Sequence, residues 1–367
     1  MTQTKRNYGI DLLRLISMFY VVVLHVLGKG GILKAAEVGS AQYSVAWFME
    51  LWAYGAVNIF GIISGYVGFS EKEKKFNYGN YIIMWLQVVV IGVGAALVFY
   101  LKDPELVTRK ELWKLCFPVT NDLYWYFSAY TGLIFLIPLL NAGVRSRSRE
   151  SLAKTFIALC LVFALVSAFA DRFELGRGYS LMWLIILYLL GAMMKKCRIG
   201  QNVSALAAFG GILACCVMAW LWRIYGPTFT VFDIKVTQSL PANYLAITSL
   251  IAAILHVIAF SKLRFPAFLQ KFIAFAAPGA FTVYLLNNQM HIWRNVMTGN
   301  FAHLAEVPVA MMAARVLAFS LTFVAMSVLV DWVRQKVFSF LRVKQAAALL
   351  VSRLEAVMAR CGQWLLG

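Results

Sequence analysis

The sequence predicts an all-α, polytopic membrane protein of about ten transmembrane helices, with both termini in the cytoplasm. Three observations predict it. Hydrophobic residues make up 62% of the chain and charged residues only 14%, with a mean hydropathy of +0.75, whereas soluble domains are nearer half apolar and a quarter charged. Ten segments are long or apolar enough to cross a bilayer. Lys and Arg are shared unequally between the loops that join them: with the N-terminus placed inside, 21 fall on the cytoplasmic side and 11 on the other, and Arg14 and Arg315 lie within spans. That asymmetry is the positive-inside pattern.

The spans are placed near 10–28, 46–68, 79–101, 122–141, 153–171, 179–194, 204–224, 242–261, 270–291 and 309–333. The first carries Arg14 and His25, and no small-residue cleavage site follows it, so it reads as a retained span rather than a signal peptide. Gly61 and Gly65 in the second form a GxxxG that suits close helix contact. The sixth span is the shortest. Pro138 and Pro278 fall inside the fourth and ninth, where membrane helices tolerate them. Residues 1–335 thus form one membrane domain, and 336–367 a basic C-terminal segment. Within it, 341–366 reads as an amphipathic helix on the inner membrane surface or, equally well, as a solvated helical tail.

The net charge of +18 follows the loops and suits anionic lipid rather than a polynucleotide, so no nucleic-acid partner is expected. Of six cysteines only Cys116 lies in an outer loop, so there is no disulfide framework. No Cys/His metal spacing, P-loop, GxSxG or HExxH motif is present.

Arg14 and His25 lie eleven residues apart, which returns to within about 20° of one helical face roughly 16 Å further along the axis. Ionisable groups inside a span point to function, although a snorkelling Arg and an interfacial His fit the same spacing. Asp11 precedes Arg14 by three residues and can pair with it. The second span runs inward, which puts Glu50 and Tyr54 at the depth of His25, and Ser64 and Tyr66 at the depth of Arg14, with the polar Asn58 between. The ninth span carries Tyr284, Asn287, Asn288 and His291 at i, i+3, i+4 and i+7, one helical face. Asp122, Trp125 and Tyr126 open the fourth span at the same outer end, where they suit either an aromatic belt or a sugar-binding wall. Lys72, Lys74 and Lys75 form a basic inner loop that suits phosphate binding or topology alone. His256 reads as core and His303 as solvated.

These residues resemble the acyltransferase-3 family of integral-membrane O-acyltransferases. The resemblance rests on Asp11-x-x-Arg14 followed by His25, on Asn58-x-Phe60 leading into Ser64-Gly65-Tyr66, on the Trp125-Tyr126 region running to Pro138, and on Tyr284-Leu285. It covers most of residues 8–335. One departure concerns the ninth span, where Asn287 and Asn288 stand shortly after the Tyr-Leu pair in place of a frequent His, and His291 follows a turn later.

The resemblance implies a bacterial inner-membrane enzyme with acetyl-CoA as co-substrate, no permanently bound cofactor and no metal. The implied acceptor is a glycan or lipid-linked glycan, and the oligomeric state, including a homo-oligomer, is open. The donor is expected against Arg14, Asp11, Asn58, Ser64, Tyr66, Lys72, Lys74 and Lys75, with its nucleotide at the basic inner mouth near Arg14 and the three lysines. The acceptor is expected against Asp122, Trp125, Tyr126, Tyr284, Asn287, Asn288 and His291. His25 is read as general base or acyl acceptor, Glu50 as its orienting carboxylate, and Arg14 as donor anchor or oxyanion stabiliser. A transporter or flippase for a glycan or small polar solute is the alternative.

Overall fold

The computed structural model describes residues 6–73, 77–169, 171, 173–231 and 234–366. Ten helical rods thread it in chain order: α1 (Tyr8–Ala35), α2 (Ala41–Gly68), α3 (Tyr78–Lys102), α4 (Trp125–Ser146), α5 (Arg149–Leu159, continuing to Phe169), α6 (Leu181–Cys197), α7 (Ala205–Tyr225), α8 (Ile247–Lys262), α9 (Ala267–Asn287) and α10 (Val309–Phe340). Each coincides with one expected span. Among the described residues seven are long and apolar enough to cross a membrane by themselves, and α8 is a shorter apolar helix. The chain is an all-α, multi-pass membrane protein. A short hairpin, Phe229–Val231 against Ile234–Val236, interrupts the loop between α7 and α8.

The rods end where local chemistry stops them. Asn7 caps α1 by accepting from the Gly9 and Ile10 amides, and Ser40, Ser148, Ser180 and Ser204 cap their own helices in the same way. Two lysines bind carbonyls left free at chain reversals. Lys196 donates to Val144, Arg145 and Arg147, and Lys262 donates to Gly200, Gln201 and Val203. An ammonium suits such oxygens because they lie at the negative ends of helices or in tight loops.

These bonds gather the basic loops at one end. Asn7 reaches the Ser261 carbonyl at 2.9 Å and Asn141 the Gly68 carbonyl at 3.3 Å, so the N-terminus and the loops after α2, α4, α6 and α8 share a face. The opposite face is tied by Gly299 to Lys29, Phe301 to Gly30, and Gln42 to Val307. Loops therefore alternate between faces as the charge pattern requires.

Helix α1 lies at the centre, against α2, α8, α9 and α10. Helix α2 breaks at Tyr54–Gly55. Its second half packs on α6 at backbone distance: a Cβ on Gly65 would overlap the Tyr188 carbonyl, and one on Gly191 would overlap that of Ile62. The GxxxG expected to permit close contact meets α6. In an apolar solvent such approach is what van der Waals packing between helices needs. The C-terminal helix, α11 (Val343–Leu366), packs against α3 and α10.

Gly65→Val therefore has no room that a rotamer change could supply. It is expected to lower stability by about 3 kcal/mol, read as an early thermal unfolding transition in detergent; an unchanged transition would show that α2 and α6 do not touch there.

Candidate active site

The two ionisable residues of α1 occupy neighbouring cavities. Arg14 lines an inner cavity of about 350 Å³ together with Ser64, Asn80, Gln87 and Tyr130. His25 lines a narrow cleft with Trp125, Tyr244, Tyr284 and Asn288. Phe60, Tyr126 and Phe281 belong to both, so three aromatic rings form the partition between them. Beyond the cleft, Tyr179 and Tyr244 open into a polar vestibule of about 580 Å³ lined by Tyr54, Arg177, Lys235 and Asn243. The polar seam through the bundle thus has three chambers.

Asp11 holds Arg14 in place. It pairs with Arg14 at 3.6 Å and with Arg6 at 2.5 Å. The Arg14 side chain remains about a third exposed and turns into the cavity. Asp11 itself does not line that cavity, so its contribution is orientation and charge balance.

His25 sits where α1 widens into a π-helical turn, His25–Lys29, a distortion frequent at functional sites. Its Nδ1 hydrogen-bonds Asn287 Oδ1. With the Asn287 carbonyl accepting in this orientation, the matching tautomer is the one with the proton on Nδ1 and the lone pair on Nε2. The indole of Trp293 meets the imidazole edge-on, 4.6 Å between centroids. The ring's position is set by these neighbours.

Glu50 is 7% exposed and lies beside the same turn: its Oε1 would stand 3.8 Å from a Cβ on Gly28. Its Oε2 has no hydrogen-bond partner among the described residues. Asn287, not Glu50, occupies Nδ1 of His25, so the orienting group comes from α9.

The expected one-sided face on α9 is corrected by the structure. The helix ends at Asn287, Asn288 leaves helical geometry, and Gln289 is extended. The Gln289 side chain then caps a new turn by accepting from the His291 and Ile292 amides, while its Nε2 donates to the Gly92 carbonyl. His291 is carried away from the cleft onto Phe99, at 5.8 Å, and both its ring nitrogens lack hydrogen-bond partners among the described residues. Asn287 and Asn288 stay: one holds His25, and the other lines the cleft with its amide returned to the Tyr284 carbonyl.

Other expected residues are dispersed. Asn58 is fully buried, donates to the Tyr244 carbonyl at 2.7 Å and accepts from Trp183 Nε1 at 2.9 Å, so its amide joins elements and lines neither chamber. Tyr66 lies in a separate inner cavity with Lys195 over its ring. Lys72 is exposed, and Lys74 and Lys75 lie outside the described residues. Asp122 is an exposed turn residue with φ 46°. Trp125, Tyr126 and Tyr284 meet: the Tyr284 hydroxyl accepts from the Tyr126 amide at 3.1 Å.

Sequence reasoning missed Tyr179, Tyr244 and Trp293, which stand on connecting segments without a periodic signal. It also missed the support of the Trp293 turn. Glu111, on the short helix Arg109–Cys116, binds Arg294 at 3.2 Å. Slight burial would raise the Glu111 carboxyl, but hydrogen bonds from Thr108 and Arg294 outweigh it and hold the group below the usual carboxylate range.

Residues 7–332 match the family model described as an acyltransferase domain. The match spans most of the chain, and the protein belongs to the acyltransferase-3 family. No curated protein and no solved structure matches it. It is accordingly a membrane acyltransferase.

Asn287→Ala frees the imidazole from its fixed tautomer. Acyl transfer is expected to fall about 100-fold with no loss of folded protein on size-exclusion chromatography. Full activity in that variant would show that the Nδ1 contact is dispensable.

Proposed function

We propose that this acyltransferase moves an acetyl or other short acyl group from cytoplasmic acyl-CoA to a hydroxyl of a cell-surface or exported glycan, in a bacterial inner membrane. The observation that carries the reading is the position of His25: Nδ1 is held by Asn287, and the ring lines a cleft that shares Phe60, Tyr126 and Phe281 with the Arg14 cavity. The family supplies acyl transfer in general; the donor, acceptor and residue roles are inferred from the chambers.

Coenzyme A is polyanionic, so its phosphates belong at the inner, basic end with Arg14 as the cation on the way in. Eleven residues of helix separate Arg14 from His25, roughly 16 Å, a distance that the long, thin pantetheine arm covers. The thioester then lies at the aromatic partition. The vestibule admits the acceptor from the other side, since Tyr54, Tyr179 and Tyr244 offer ring faces and hydroxyls of the kind sugars bind.

A hydroxyl is weakly nucleophilic at neutral pH. As its oxygen attacks the thioester carbonyl, His25 Nε2 takes the hydroxyl proton. The tetrahedral intermediate collapses with cleavage of the C–S bond, and the imidazolium returns the proton to the departing thiolate. A C–O bond replaces a C–S bond and the imidazole ends as it began.

Two substitutions test the roles separately. His25→Ala is expected to lower transfer of label from acetyl-CoA by at least about 100-fold while the protein remains inserted; appreciable residual transfer removes His25 from the chemistry. Arg14→Lys retains the charge but loses the planar fork. It is expected to raise KM for the donor about tenfold, and unaltered donor affinity would take Arg14 out of the donor site.

A further inference from the structure

The inner cavity has one wall whose polarity is set by a buried cluster the sequence did not announce. Asp331 on α10 is fully buried. Its Oδ1 accepts from Thr282 Oγ1 at 2.7 Å, Arg334 Nε at 2.8 Å and Gln87 Nε2 at 3.2 Å, and its Oδ2 accepts from Gln335 Nε2 at 2.7 Å. Gln87 Nε2 also donates to Thr282 Oγ1 at 2.9 Å. The cluster ties α3, α9 and α10 together beside the cavity.

An ionised carboxylate accepts and never donates. Of the two ends of the Gln87 amide, only the NH2 can therefore face Asp331 and Thr282. This fixes the amide orientation, which hydrogen-bond chemistry rather than atom size must decide. The carbonyl Oε1 is turned the other way. The hydrogen bonds of the cluster leave it without a donor, and Gln87 lines the Arg14 cavity. The cavity wall thus presents one preoriented acceptor whose direction is locked by four groups behind it. A locked acceptor on the wall of this cavity calls for a donor N–H on the ligand, because an ether or ester in its place would offer Oε1 no hydrogen bond.

We infer that Gln87 Oε1 reads an amide N–H on the thiol-bearing arm of the acyl donor as that arm passes Arg14 toward His25. The inference rests on the donor reading above and deepens it. Pantetheine carries two secondary amides along an otherwise flexible chain, so one anchored amide sets how far the thioester extends. Gln87 is then a specificity and positioning residue on the donor side, and Asp331 acts through it.

The test uses the full-length protein in nanodiscs. Donors are acetyl-CoA and two analogues in which one or the other pantetheine amide N–H is replaced by an ester oxygen. One analogue is expected to bind the unmodified protein at least about tenfold more weakly than acetyl-CoA. Gln87→Leu is expected to raise KM for acetyl-CoA by a similar factor, with the effect in KM rather than kcat, and to add no further loss for that analogue. Equal binding of all three donors by the unmodified protein overturns the inference and needs no variant to fold. So does a Gln87→Leu penalty of the same size for all three donors. Failure of the unmodified protein to bind acetyl-CoA at all overturns the donor reading itself, a result distinct from either.

Discussion

A guanidinium and an imidazole on one apolar helix are tolerated only where neighbouring helices bring polar partners to them, and the bundle is arranged around that requirement. Helix α1 is central because Arg14 and His25 need lining on several sides. Asp11 pairs with Arg14, and also with Arg6, at the inner end. Asn287, Trp293 and the π-helical turn hold His25 at the other. At the His25 end the partners come with distorted helix: the π-helical turns His25–Lys29 and Trp293–Met297 and the break after Asn287. Helix α9 stops at the residue that grips His25, and the chain then needs Gln289 to cap a fresh turn.

The same demand for internal satisfaction explains the polar clusters elsewhere. Asn58 has its amide consumed by Trp183 and the Tyr244 carbonyl, and Asp331 gathers four donors. In hydrocarbon an unpaired group of this kind is costly. Groups that remain incompletely paired are therefore informative. Among them, within the described residues, are Oε2 of Glu50, Nδ2 of Asn287 and the ring nitrogens of His291. The first two stand beside His25 and its turn.

Chamber geometry turns a pair of residues into a pathway. Arg14 and His25 do not share one pocket; an aromatic partition of Phe60, Tyr126 and Phe281 stands between them. A thin acyl-bearing arm suits the inner side and a bulkier hydroxylated acceptor suits the vestibule. The separation also keeps a polyanionic donor near the basic loops while its reactive end reaches the imidazole. Close backbone contact of α2 with α6 supports this geometry, because Phe60 and Ser64 stand on the stretch that Gly61 and Gly65 let approach.

By itself the sequence determined the all-α membrane class, the ten rods, the alternation of loops and the helix bearing Arg14 and His25, because hydropathy, charge bias and helical spacing are local quantities. It also marked Tyr284, Asn287 and Asn288 as polar company at one depth. Only the tertiary structure decided which of them met His25. Periodicity assumed that α9 continued to His291, whereas the chain breaks at Asn288 and gives the contact to Asn287. The roles of Asn58, Tyr179, Tyr244, Gln87 and Asp331 were likewise invisible, since contacts between different helices leave no trace in spacing. Depth along a helix can be read from sequence; which side chain fills which chamber depends on the partner helices.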